Sequence, residues 1–207
     1  SKARDRLSEA IELGESIHET AADRLNMSRE LGIAYAQLGR IYIRNGDLER
    51  GSAAYYKSLE FAREIATQGG KSYHNTRDLA VSEFRLAGLL MKQLRIAESV
   101  KVMKGAATTF DQIAAEYPEI SPSRGEAAAL RSTLGVFQLV AGELEDAENS
   151  FNIAWEGAER ANREGKLVGE FLRNSHADMP TYRARTLQLS GRASLAAELE
   201  EERSEER

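Results

Sequence analysis

Three histidines, His18, His74 and His176, are the side chains of this sequence best suited to proton transfer or metal ligation near neutral pH. Glu15 stands one helical turn before His18, and Asp78 one turn after His74. A pair of ligands does not make a metal site, and the three histidines lie far apart in the chain. They read as solvated histidines near carboxylates. Nucleophilic chemistry has no better footing, because the serines are numerous but none sits in a G-x-S-x-G elbow. Gly69-Gly70-Lys71-Ser72 ends like a phosphate-binding loop, yet it lacks the earlier glycine and the preceding strand that such a loop needs. It reads as a connection between helical elements. Cysteine is absent, which removes thiol chemistry, disulfides and sulfur-ligated zinc. Glu9, Glu12, Glu15 and Glu19 recur at helical spacing as a solvated face. No catalytic group, metal site or cofactor site is assigned, and the chain reads as a non-enzyme.

Composition narrows what is left. The 207 residues are 42% hydrophobic and 29% charged, with only three prolines, a balance that favours soluble helices. A net charge of −5 argues against general nucleic-acid binding, which needs an excess of lysine and arginine. No apolar run is long enough to span a bilayer, and the first residues lack a signal-peptide pattern. A cytoplasmic location, without membrane or nucleic-acid partners, is the expectation.

The helices themselves are written as a repeat. Leu38-Gly39, Leu86-Ala87 and Leu134-Gly135 recur every 48 residues. Gly46-Asp47-Leu48, Leu94-Arg95-Ile96 and Gly142-Glu143-Leu144 keep the same spacing, as do Tyr55, Met103 and Phe151. Each unit predicts two helices joined by a turn. Tyr35, Leu38, Gly39 and Tyr42 share one face of the first, and Leu48, Gly51, Tyr55, Ser58, Leu59 and Ala62 one face of the second. Glycine inside these helices costs stability unless a close approach of neighbouring backbones requires it.

Tyr35-x-x-Leu38-Gly39-x-x-Tyr42, followed by Gly46-Asp47 and Tyr55, resembles the tetratricopeptide repeat (TPR) motif. Leu134-Gly135, Gly142-Glu143 and Ala147-x-x-x-Phe151 resemble it again, with Arg131 and Gln138 departing from the usual aromatics. The period exceeds the usual one of about 34 residues, which lengthens each helix by roughly two turns. With Asp78-Leu79-Ala80 opening one unit and Ala115-Glu116-Tyr117-Pro118 closing another, the long repeat is similar to arrays that follow kinase domains in some bacterial multidomain proteins. The resemblance implies an all-α fold, a right-handed superhelical stack of antiparallel helical hairpins. One array is expected over 1–207. It comprises the second helix of a preceding repeat (1–22), three repeats (23–70, 71–118 and 119–165), and a C-terminal part (166–207). In that last part Lys166 to Met179 forms a connection, and Ala184, Leu187, Gly191 and Ala196 begin a partial repeat.

The resemblance also implies a binding face, since the first helix of each hairpin lines a concave surface that takes an extended peptide or a partner helix. Carried over by register, that surface comprises Ile33, Gln37, Arg40 and Arg44, then Phe84, Arg85, Met91 and Lys92, and in the third repeat Ser132. Four of these are cations, which suits an acidic peptide or a free carboxylate. The asparagines of tetratricopeptide carboxylate clamps are missing, with Arg40, Gly88 and Val136 at one such register. Homo-oligomerisation is the other expectation, through the N-terminal stripe Leu7, Ala10, Ile11, Gly14 and Ile17.

Overall fold

The computed structural model describes residues 2–18, 23–70, 72–120, 123–166 and 170–197. Among these residues the structure is helical throughout, without a strand. Eight helices follow in order: α1 (Lys2–His18), α2 (Arg24–Arg44), α3 (Leu48–Gln68), α4 (Tyr73–Lys92), α5 (Ile96–Glu116), α6 (Ser123–Ala141), α7 (Leu144–Arg163) and α8 (Glu170–Leu189). A further helical stretch covers 193–197. The 48-residue period survives in the backbone, because α3, α5 and α7 begin at Leu48, Ile96 and Leu144.

Short-range chemistry sets these boundaries. The Asp47 carboxylate accepts from the Arg50 amide at 3.0 Å, and the Ser72 hydroxyl from the Asn75 amide at 3.2 Å. Each relieves a free N–H at a helix start. The helix ends close with a six-residue loop-back: Asp47 N–H donates to Tyr42 O at 3.0 Å, Arg95 to Leu90 at 3.0 Å, and Glu143 to Gln138 at 2.9 Å. That turn needs a left-handed residue, supplied by Gly46 (φ 78°) and Gly142 (φ 79°). At the equivalent place after α4 stands Leu94, whose φ is 59° and which is 81% exposed.

The chain packs as two compact units, Ser1–Arg95 and Ile96–Arg207. Where the sequence predicts one array with 71–118 as a repeat, compactness divides that repeat at the α4–α5 turn. In the first unit α2 and α3 form a hairpin, with α1 against α2 and α4 against α3. In the second, α5, α6, α7 and α8 pack in sequence, and α8 also packs on α6.

One kind of contact recurs inside each unit. A β-carbon at Gly39 would stand 2.6 Å from the Tyr55 ring, and one at Gly135 would stand 2.7 Å from the Phe151 ring. In each hairpin the second helix lays an aromatic ring directly on the backbone of the first. The middle repeat has Ala87 and Met103 at these positions, both fully buried. Leu38, Leu86 and Leu134 are buried alike.

One expectation fails. Lys166 to Met179 is not a simple connection, because α8 runs through it from Glu170. Its polar sequence hides a narrow apolar stripe in which Leu172 and Met179, two turns apart, are both buried. Pro180 lies inside the helix and leaves His176 O without its usual donor, which weakens the pattern without ending it. Farther on, Ala184, Leu187 and Ala196 form a buried cluster.

Polar pairs join consecutive hairpins at a fixed offset of twenty residues. Tyr35 donates to Glu15 at 2.7 Å, Arg63 faces Glu83 at 3.8 Å, and Arg131 is bonded to Asp111. The signs reverse between the last two pairs.

Two outcomes follow from this packing. Gly135→Ala should lower stability by about 1–3 kcal/mol in urea titrations, since the fully buried Phe151 cannot move away. Adding Phe151→Met, which copies Ala87 and Met103, should recover most of the loss. At Glu83, burial pushes the carboxyl above its ordinary value of 4.5, and the Arg63 charge only partly offsets this. A carboxyl raised by folding destabilises the fold wherever it is ionised. Glu83→Gln should therefore raise the melting temperature at pH 7, and the gain should vanish by about pH 4, where Glu83 is protonated in both states.

Candidate functional site

In the first unit α2 and α4 both pack against α3. Two depressions lie along the face they form. One, of about 300 Å³, is walled by Arg29, Ile33, Gln37 and Arg40 of α2 and by Arg77, Asp78, Val81 and Arg85 of α4, with Ser58, Ala62 and Ile65 of α3 beneath. The other, of about 420 Å³, takes Arg40, Ile43 and Arg44 from α2, Tyr55 from α3, and Phe84, Arg85, Gly88, Leu89 and Lys92 from α4. Arg40 and Arg85 border both, so the two depressions form one groove. Small residues keep it open, and a β-carbon at Gly88 would meet nothing within 4 Å.

The buried Asn75 fixes one end of this groove. Its amide nitrogen donates to Gly70 O at 3.1 Å and Gly69 O at 3.4 Å, which satisfies the carbonyls at the end of α3. Its amide oxygen accepts from Arg29 Nη2 at 3.1 Å. One side chain thereby ties the starts of α2 and α4 to the end of α3.

The cations of the groove differ from those around it. Arg24 pairs with Glu64 at 2.7 Å, Lys57 with Glu60 at 2.8 Å, Arg50 with Asp47 at 3.5 Å, and Arg63 with Glu83. Among the described residues Arg40, Arg44, Arg85 and Lys92 have no hydrogen-bond or ion-pair partner, and all four are exposed. Asp78 supplies one carboxylate in the first depression, where the sequence predicts no acid on this face. Tyr55 is only 7% exposed, yet its hydroxyl has no hydrogen-bond partner among the described residues. Burial pushes the phenol above the ordinary tyrosine value, while the Arg85 and Arg40 charges pull it down. It is therefore a protonated donor at neutral pH.

Most of the residues chosen by register come together here. Ile33, Gln37, Arg40 and Arg85 line the first depression, and Arg40, Arg44, Phe84, Arg85 and Lys92 the second. Met91 is half-buried and lines neither. Ser132 needs correction. It belongs to the second unit and is 3% exposed, on a helix packed by α5, α7 and α8, so a partner does not reach it. Its equivalent two repeats earlier, Ala36, is buried too. Sequence reasoning missed Arg29, Arg77 and Tyr55. Arg29 and Arg77 stand one turn before Ile33 and Val81, so extending the register by four residues finds them. Tyr55 was visible only as a core aromatic.

The remaining candidates resolve differently. His18 is not solvated: it is buried, with Nε2 2.8 Å from Ser28 Oγ and 3.5 Å from Glu64 Oε2. Glu64 meets the same ring nitrogen that faces the serine, so this is no nucleophile relay. It is a buried polar tie among α1, α2 and α3, and Glu15 serves Tyr35 instead. His176 is half-buried, 2.8 Å from Glu159 and stacked on Trp155, whereas His74 is exposed. Among the described residues no three His, Asp or Glu side chains gather as a metal site, and no helix is long and apolar enough to cross a membrane. Lys71 lies outside the described residues. In the N-terminal stripe Ile11 and Gly14 are buried and Leu7 is half-buried, all engaged with α2. The apolar side chains left exposed on α1 include Leu13 (65%) and Ile17 (43%).

No protein-family model matches the sequence, and no curated protein sequence matches it. Solved structures do. BtubC (BKLC) from P. vanneervenii superposes with a TM-score of 0.64 at 16% identity, over 92% of this chain and 70% of that one. A putative kinesin light chain from P. anserina, described by its nearly identical TPR-like repeats, gives 0.58 at 16% identity, over 96% of this chain and 93% of that one. A variant of the same protein gives the same values. At such identity the likeness concerns the fold alone: this chain is an all-α protein of sequential antiparallel helices, similar to TPR-like repeat structures.

Proposed function

We propose that this chain is a non-catalytic protein-interaction scaffold that binds an acidic peptide or the acidic face of a partner helix in the α2–α4 groove. The observation that carries this reading is the row Arg40, Arg44, Arg85 and Lys92, four cations without partners among the described residues, on a protein of net charge −5. Unpaired cations around an apolar groove offer charge-assisted hydrogen bonds to carboxylates, while Ile33 and Phe84 supply apolar contact. The long repeat resembles kinase-linked bacterial arrays, and a regulatory role beside a signalling enzyme in the cytoplasm is the alternative use of the same groove. A second reading, self-association, rests on the exposed Leu13 and Ile17 of α1.

The test is binding of a fluorescent hexaglutamate peptide, followed by anisotropy at two salt concentrations. Affinity should fall steeply with salt, since screening acts over about 8–10 Å at ordinary ionic strength. Arg40→Glu with Arg85→Glu should weaken binding at least about tenfold and leave helix content and melting temperature unchanged. Lys101→Glu with Lys104→Glu, exposed on α5, should have little effect. Equal effects from both pairs would overturn the groove reading. Sedimentation of Leu13→Glu tests the second reading, which predicts a concentration-dependent oligomer in the parent and a monomer in the variant.

A further inference from the structure

Tyr55 carries a hydroxyl that packing does not require. Phe151, its counterpart two repeats on, lays the same ring on Gly135 without one, and the position between them is Met103. The ring is buried, but its phenol oxygen is not among the buried polar atoms left without a partner, so it opens to solvent rather than into the core. No protein partner for that oxygen is found among the described residues, and the side chain lines the second of the two depressions. The exposed cations Arg40 and Arg85 border the same depression from opposite helices, and their charges reach the Tyr55 hydroxyl. Beside them Gly88 leaves open space where any other residue would project a side chain. The volume of about 420 Å³ accommodates a compact anion together with the chain that bears it.

We infer that Tyr55, Arg40 and Arg85 form an oxyanion subsite, in which the phenol O–H and two guanidinium groups hold one carboxylate or phosphate of an acidic peptide. The inference rests on the peptide-binding reading above and adds to it a fixed point. The arginines are long and mobile, so alone they attract an anion without placing it. The tyrosine ring is pinned by its contact with Gly39, and its hydroxyl gives the bound anion one rigid donor. Arg44 and Lys92 then attract neighbouring acids of the same peptide more loosely.

Tyr55→Phe removes one oxygen and keeps the ring. Melting temperature should stay unchanged, while affinity for hexaglutamate drops roughly tenfold, as for loss of one charge-assisted hydrogen bond. The doubly neutral variant Arg40→Gln/Arg85→Gln should lose affinity more strongly, and adding Tyr55→Phe to it should cost little more, because the three groups hold one anion. A serine-containing hexapeptide with one phosphoserine, compared with hexaglutamate, distinguishes the source of the oxyanion, and tighter binding of either supports the subsite. If Tyr55→Phe binds like the parent while Arg40→Glu/Arg85→Glu abolishes binding, the groove stands and the subsite falls. Should neither variant alter binding, both readings fall together. Were Tyr55→Phe to lose stability, the parent decides, with its tyrosines labelled with ¹³C at Cζ. One buried tyrosine resonance should then move with inorganic phosphate or acetate but not with chloride, and its failure to move would overturn the subsite.

Discussion

An aromatic ring occupies the space where a β-carbon would stand on the facing helix, and this substitution of ring for side chain sets the spacing of both complete hairpins. Tyr55 lies on Gly39 and Phe151 on Gly135. The ring needs the glycine, and the glycine, costly in mid-helix, needs the ring to repay it. With that contact made, α2 and α3 cannot slide or rotate past one another without a clash, so the remaining side chains of α2 are committed to their faces. The groove inherits its position from the same constraint. Arg40 follows Gly39 in sequence, and Tyr55 presents its hydroxyl from the ring that fixes the hairpin.

Charge is then distributed in two ways. Where helices meet, cations are matched by acids: Arg63 by Glu83, Arg131 by Asp111, and Arg24 by Glu64. Along the α2–α4 face Arg40, Arg44, Arg85 and Lys92 have no acid partner among the described residues. Surface ion pairs contribute little stability, so leaving four cations unpaired costs the fold little. In the proposed groove this leaves their charge available to a ligand, and such a groove needs no net basic charge on the protein, only a local shortage of acids.

The parts of the structure legible in the sequence were those written by periodicity. The three equivalent leucines, the turns near residues 46, 94 and 142, and the groove cations all follow from one spacing and one helical register. What escaped depended on contacts across that spacing. Ser132 was placed on the surface because register alone cannot show that α8 returns to pack on α6. The stretch 166–179 looked like a connection because α8 is apolar on so narrow a stripe. His18 was paired with its sequence neighbour Glu15, but its partners Ser28 and Glu64 come from two other helices. Tyr55 satisfied the repeat pattern as a hydrophobic residue, and the pattern is silent about its oxygen.

The reversal of sign between the Arg63–Glu83 and Asp111–Arg131 pairs bears on how such a chain can change by inheritance. Its repeats share a length, so loss of one 48-residue stretch preserves every helix, turn and glycine contact outside it. Excising 71–118, however, would bring the helix bearing Arg63 against the helix bearing Arg131, at the offset where an acid now stands. Duplicating the same stretch would set Asp111 opposite a second copy of Glu83. Either rearrangement opposes like charges where opposite charges now meet. The repeats are equal in size, but the charges at their junctions are keyed in order.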